Sequence, residues 1–469
     1  MREEVHIIEN TACFSYLRFF EYQRSRMSFK PQLSFRQIIN MNVGFFGIQY
    51  SFGLQQSAVN PIYDFLGATP DQLPLLNLAG PVTGLLIQPL IGTLSDKTWH
   101  PRFGRRKPYF FVGALFCSLC LFLYPFSSTL WMAVGLLWIL DAANNTAMEP
   151  YRALIADKLP ASQQPTGFLT QSFFTGLGIT LANVSLYIFQ KHIHGEHGRI
   201  PYWVFASFFL GSVCSISSVG WSIYKTPEIP PTPEELARLR AHKGGFMEPF
   251  QEIFQALRHM PAVMWKLALV YLFQWYALFC YWQNASKSIA QSVWKTSPSQ
   301  NKILYEEAVG WTGLVNGWYN VVTFLSAFAL VGLARKYSPK MVHFICLLMA
   351  GAGLVIFPHI ENKYFLFAPM TGFGIAWASM MGVPYLMVVG NIPKERYGVY
   401  MGIINMMIVI PMILQNLSFG FILKNILNND PGKAISFAGV FLFIAAAATL
   451  WIKTVKADPD MEIPLPVGH

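Results

Sequence analysis

The stretch WILDAANNTAMEPYRALIADKLP, residues 138–160, sets Asp141, Glu149 and Arg152 inside a run otherwise apolar and long enough to cross a bilayer. A charge at bilayer depth costs at least a few kcal/mol, so such residues face a protein-lined or wet cavity and serve ion or substrate traffic. At 100° per residue, Asp141, Asn145, Met148 and Arg152 fall within about 60° of one another, on one helix face. Asp141 and Arg152 are separated by roughly 16 Å along the axis, too far for a direct pair. They read as two levels of one cavity. Asp141 has no basic residue within a helical turn, and its simplest neutral state is the protonated one, as a proton carrier requires. Glu149 is a modulating charge at i,i+3 from Arg152; a buried pair that only positions helices is the alternative reading of these two.

Composition sets the class around this stretch. Of 469 residues, 53% are hydrophobic and only 12% charged, against about 25% charged in soluble domains. A polytopic, all-α integral membrane protein follows. The 6 cysteines lie singly or within apolar segments and form neither a disulfide framework nor a metal site. The formal charge of +10 is dispersed over short loops, which excludes a nucleic-acid partner and directs attention to sidedness.

Twelve apolar spans of bilayer length are predicted, near 38–62, 73–95, 108–126, 130–157, 166–190, 201–224, 262–286, 307–334, 340–358, 363–391, 397–425 and 434–454. Lys and Arg of the even-numbered connections and the two termini far outnumber those of the other loops, which places both termini in the cytoplasm. The predicted organisation is a cytoplasmic arm (1–37), a six-helix bundle (38–224), a cytoplasmic linker (225–261) with a short surface helix over 234–240, a second six-helix bundle (262–454) and a tail (455–469). Met27 opens a more regular approach to the first span; residues 1–26 stay open between a dispensable extension and a start-site artefact.

The halves echo each other: EPYRALIADKLP from Glu149 aligns with VPYLMVVGNIP from Val383, about 234 residues later. Such repeats build two pseudo-symmetric bundles with a site at their interface. Arg152 falls opposite Leu386, which concentrates ionisable chemistry in the first half. Between spans two and three, GTLSDKTWHPRFGRRKP (92–108) combines Gly92, Asp96, Arg102, Gly104, Arg105 and Arg106. Asp96 can pair with Arg105 or Arg106 and Gly104 permits a tight turn, as in a gate latched in one state and broken in the other.

At these segments the chain closely resembles the major facilitator superfamily and, within it, the sucrose-type sugar symporters of the glycoside-pentoside-hexuronide group. The resemblance rests on GIQYSFGLQQSAVNPIYDFLG, GPVTGLLIQPLIGTLSD with RFGRRKP, LDAANNTAMEPYRALIAD and PKERYGVYMGIINMMIVIP, in that order. It implies a twelve-helix major facilitator fold and proton-driven symport of a disaccharide or α-glucoside such as sucrose or maltose. The family's proton acceptor falls on Asp141, its substrate-linked arginine on Arg152, and its gate on the 92–106 residues named above. The chain departs from plant members at FCYWQN (279–284), where those carry carboxylates, and at Glu149, which resembles the bacterial branch.

A sugar site needs amide, carboxylate or guanidinium partners beside aromatic platforms. Asn42, Gln49 and Gln56 recur every seven residues in the first span as one polar stripe. Asn144 and Asn145 flank Asp141; Gln171, Gln274, Trp275, Asn316, Asn320 and Asn405 complete the candidates, each also readable as interhelical hydrogen-bonding glue. His192, His194 and His197 have metal-like spacing without acidic or Cys partners, and no metal is expected. The reading is therefore a monomeric, cofactor-free carrier of the plasma membrane, or inner membrane of a bacterium, driven by a proton gradient and not an enzyme. A sodium-coupled glycoside carrier and a non-transporting membrane sugar sensor are the alternatives.

Overall fold

The computed structural model describes residues 30–230 except 102 and 161, positions 234, 237, 257 and 258, and residues 260–388 and 397–452. The arm up to residue 29, most of the linker and the tail from 453 lie outside the described residues; of the expected helix over 234–240, only positions 234 and 237 are described, both helical.

Ser34 and Gln37 form a capping box that starts α1 (Phe35–Leu54). This helix continues through a π turn, Gln55–Val59, into Asn60–Phe65. A short turn, Leu73–Leu76, precedes α2 (Ala79–Lys97). The first half continues with α3 (Lys107–Leu123), α4 (Leu130–Lys158), α5 (Gln164–His192) and α6 (Tyr202–Lys225). The second half comprises α7 (Ala262–Val293), α8 (Lys302–Lys336), α9 (Pro339–Ile356), α10 (Phe367–Val388), α11 (Tyr397–Asn425) and α12 (Pro431–Thr449). Among the described residues, 9 helical segments are long and apolar enough to cross a membrane. The others, α1, α4 and α8, carry buried polar side chains in mid-helix, such as Gln49, Asp141 and Asn316.

Packing shows the internal symmetry directly. In the first half α1 packs on α5 and α6, α3 on α4 and α6, and α2 on α4; in the second, α7 packs on α11 and α12, α9 on α10 and α12, and α8 on α10. Each second-half pair is its first-half counterpart shifted by six helices. The halves meet through α5 against α8 and α2 against α11, which the same shift exchanges. The result is an all-α fold of two pseudo-symmetric six-helix bundles.

Small residues bring these helices together. A Cβ at Gly47 would lie 2.3 Å from Ser218 Oγ and 2.5 Å from the Cys214 carbonyl, so α1 and α6 pack almost backbone to backbone. Apolar side chains point outward instead: Phe111, Leu115, Phe116, Leu119 and Phe122 expose nearly half their surface along α3. Such a stripe fits hydrocarbon rather than water, as in a multi-pass membrane protein. Between α5 and α6, strands β1 (Glu196–His197) and β2 (Ile200–Pro201) form an antiparallel hairpin. His197 packs its ring against Phe126 and Phe205. The hairpin marks one end of the bundle, called the hairpin end below; the α2–α3 connection lies at the other.

Candidate central binding site

Between the two halves lies a cavity of about 220 Å³ with chemically unlike walls. The first half supplies polar groups: Gln55, Gln56 and Asn60 from α1, Asn77 from the turn before α2, Gln88 from α2, and Asp141 and Asn145 from α4. The second half supplies Trp275, Phe279, Trp282 and Gln283 from α7, Trp377 from α10, and Asn405 and Met412 from α11.

The polar wall is built around Asp141, whose side chain is 3% exposed. The carboxyl faces Gly80 of α2, where an added Cβ would lie in ordinary contact with Asp141 Oδ2 at 3.5 Å. Asn145, one turn along, donates to the Asp141 carbonyl at 2.9 Å and to Thr83 Oγ1 at 3.1 Å. It accepts from Gln88 Nε2 at 2.6 Å, and Gln88 Oε1 accepts from Asn405 Nδ2 at 3.3 Å. One amide chain thus runs from the turn beside Asp141, through α2, to the opposite half. Any displacement between α2 and α11 must alter it.

The other polar groups follow from helical spacing: Gln55 and Gln56 line the cavity together with Phe52, Val59 and Asn60, the i, i+3, i+4, i+7 and i+8 positions of one helical face. Gln56 Oε1 has no hydrogen-bond partner although buried, while the Gln55 amide faces the Asp141 carboxyl. Across the cavity, the indole of Trp377 meets those of Trp275 and Trp282 edge to face, with ring centroids 5.5 Å apart in each pair. Trp275 Nε1 also lacks a partner. Unpaired buried polar atoms beside indole surface are groups that a ligand hydroxyl can satisfy.

Of the residues singled out from the sequence, Asp141, Asn145, Gln56, Trp275 and Asn405 meet in this cavity. The others do not line it. Gln49 Nε2 contacts Met148 Sδ at 4.0 Å, and Asn144 Nδ2 donates to Ser51 Oγ at 2.9 Å on the side facing α1. Asn42 donates to the Ile38 carbonyl within its own helix. Gln171 is buried within α5. Gln274 accepts a contact from the ring of buried His343 at 3.2 Å, inside the second half. Asn316 donates to Ser57 Oγ at 2.9 Å and accepts from Tyr281 OH at 2.8 Å, while Asn320 donates to the Asn316 carbonyl. These two tie α8 to α1 and to their own helix. Arg152 lies one turn beyond Met148, with its guanidinium 3.8 Å from Glu149 and 3.4 Å from Met148 Sδ.

Gln55, Asn60, Asn77, Gln88, Phe279, Trp282, Gln283 and Trp377 complete the walls. The seven-residue stripe in α1 passed over Gln55 because it follows one line of the helix, and Gln55 sits 100° round from that line. Lone residues such as Gln88 and Trp377 carry no periodic signal at all.

At the far end from the hairpin, the predicted gate residues cluster as a folded turn. Gly92 packs near Glu149, a Cβ there lying 3.6 Å from Glu149 Cγ. Arg106 Nε pairs with Asp157 Oδ2 at 2.8 Å and its Nη1 donates to Ser95 Oγ at 2.6 Å. Arg105 Nε donates to the Ser95 carbonyl at 3.4 Å. The Asp96 side chain and Arg102 lie outside the described residues. Glu228, just past α6, accepts from the backbone N–H groups of Arg105, Arg106 and Lys107 at 2.7–3.1 Å. The start of the linker is therefore clasped to this turn.

Residues 41–415 match the model of the Major Facilitator Superfamily. The chain belongs to this superfamily. It is similar to the sucrose transport protein SUT5 of Oryza sativa subsp. indica, 24% identical over 87% of this chain and 86% of the relative. It is also similar to the sucrose transport protein SUC4 of Arabidopsis thaliana, 25% identical over 80% of this chain and 81% of the relative. Among solved structures, the nucleoside transporter NupG matches with a TM-score of 0.64 at 13% identity, covering 88% of this chain and 100% of that one. The xylose transporter XylE of E. coli, partially occluded and inward open, matches with a TM-score of 0.61 at 12% identity, covering 90% and 99%. The two solved structures share the fold of this chain, and all four proteins are named as transporters.

Proposed function

We propose that this protein is a proton-coupled symporter of a disaccharide or α-glucoside, sucrose or maltose, working by alternating access. The observation that carries the reading is Asp141, a buried carboxyl in the wall of a cavity whose opposite wall is aromatic. It is supported by the similarity to sucrose transport proteins and by the superfamily fold.

Each wall has a task in this scheme. Indole faces of Trp282 and Trp377 take the apolar face of a pyranose, while Gln55, Gln56 and Asn145 exchange hydrogen bonds with its hydroxyls. Asp141 takes the proton. Arg152, one helical level away, fixes the electrostatic environment that the proton and sugar share. Symport follows if only the empty carrier and the carrier with both cargoes exchange states readily, the half-loaded forms being poor at switching. The hairpin end is then the outer end, with both termini cytoplasmic and the chain a monomer in the plasma membrane or a bacterial inner membrane.

The test is uptake of labelled sucrose and maltose into proteoliposomes under an inward proton gradient. Uphill uptake that collapses with an uncoupler is expected, and the two rates rank the sugars. Uptake that follows sodium at fixed pH would instead favour a sodium-coupled carrier, and no uptake of either sugar by folded protein removes the substrate assignment. A separate expectation concerns the aromatic wall: Trp282→Ala and Trp377→Ala each raise the half-saturating sugar concentration about tenfold, the size expected for losing one stacked ring face. Unchanged half-saturation in both variants would place the sugar elsewhere.

A further inference from the structure

Asp64 stands at the end of the last segment of α1, and Lys287 in the last two turns of α7, the equivalent helix of the other half. Lys287 Nζ lies 3.3 Å from Asp64 Oδ1, and the two side chains are only 4% and 3% exposed. From α8, the Tyr305 hydroxyl donates to Asp64 Oδ2 at 2.5 Å, and Ser286 Oγ lies 3.4 Å from that hydroxyl. Phe65 covers the group, edge to face against Tyr305 and Trp203. Other contacts between the halves at this end, such as Lys302 with Glu196, leave their charges partly in water. Exposed pairs of that kind contribute little.

We propose that Asp64, Lys287 and Tyr305 form the latch that holds the hairpin end shut. The proposal rests on the alternating-access reading, but on neither the identity of the sugar nor that of the coupling ion. The physical reason is asymmetry between states. With the halves closed, each charge has lost its water and depends on its partner; with the halves parted, water serves both. Removing one charge therefore penalises the closed state and leaves the open state nearly untouched. Removing both restores closure, because two neutral side chains need no partner. The latch is also placed to sense the cavity. Asn60 and Gln283, which line it, lie four residues before Asp64 and Lys287 on the same helices, about one turn away.

The experiment measures distances between spin labels at Thr69 and Ser299, exposed positions at the hairpin end of opposite halves, after replacement of the six native cysteines. Asp64→Asn and Lys287→Met are expected to raise the long-distance, open population about tenfold or more over the parent. The double variant Asp64→Leu with Lys287→Met is expected to return to the parent distribution. Single variants that leave the distribution unchanged, or a double variant as open as the singles, overturn the proposal. Should the single charge variants not fold, Tyr305→Phe carries the test: it removes one hydroxyl, a severalfold rise in the open population is expected, and no change overturns the latch. Parent protein that closes and opens by this measure but moves neither sugar counts against the sugar reading alone.

Discussion

Asp141→Asn is expected to abolish uphill sugar accumulation, bringing the internal-to-external ratio to about one under a proton gradient that drives the parent protein. Sugar counterflow, which needs no net proton movement, should persist within about an order of magnitude. The substitution is nearly isosteric, and the site can accept it: Asp141 sits against Gly80, and its helix contributes the Asn145 amide chain through main-chain and Asn145 atoms rather than the carboxyl. What an amide cannot do is gain and lose a proton. In the buried wall the carboxyl is easiest to accommodate neutral, and Asn mimics that neutral form permanently. The sugar-loaded carrier then switches without a proton, so exchange persists, while the sugar-free form, a permanent half-loaded mimic, returns slowly and supports no uphill transport. Proteoliposomes loaded with unlabelled sugar, with and without an imposed pH difference, separate the two activities. Full uphill accumulation by Asp141→Asn would move the proton site to another residue; loss of counterflow together with accumulation would make Asp141 a sugar contact.

How far the sequence could carry this reading differs from helix to helix. In α4 the 100° periodicity brings Asp141, Asn145 and Met148 to one face, and all three line the cavity. In α1 the seven-residue stripe follows a single line of the helix: Gln56 lines the cavity with Gln55, which is 100° round from that line, while Gln49, two turns earlier, stays against Met148. In α8 the i,i+4 pair Asn316 and Asn320 has the spacing of a cavity face and of interhelical glue alike. What separates them is Ser57, 259 residues from Asn316, a partner that no local pattern identifies. The latch is hidden for the same reason, since Asp64 and Lys287 are 223 residues apart and meet only because the pseudo-symmetry brings α1 and α7 together. Periodicity within a helix was legible; contacts between the halves were not.

Gly104→Val is expected to be the most damaging substitution in the turn at the opposite end, lowering stability by about 2–4 kcal/mol. Two causes add. Gly104 has φ +80°, where a β-branched residue is strained, and an added Cβ would lie 2.6 Å from Glu228 Oε1 and 2.7 Å from its Cδ. Glu228 cannot retreat without giving up three backbone N–H groups at the start of α3, groups that have no partner within the helix and favour a negative charge. The turn would also lose its tie to the segment leaving α6, which Lys158 reinforces by donating to the Pro227 carbonyl. Glu228→Gln keeps an acceptor but removes the charge and should cost only about 1 kcal/mol. Thermal unfolding of the purified protein in detergent ranks these variants. The discriminating comparison is the double variant Gly104→Val with Glu228→Ala: because the valine already displaces the carboxylate, the pair should lose less than the sum of the two single losses. Strict additivity would mean that the strain lies in the Gly104 backbone alone and that the valine leaves the Glu228 contacts in place.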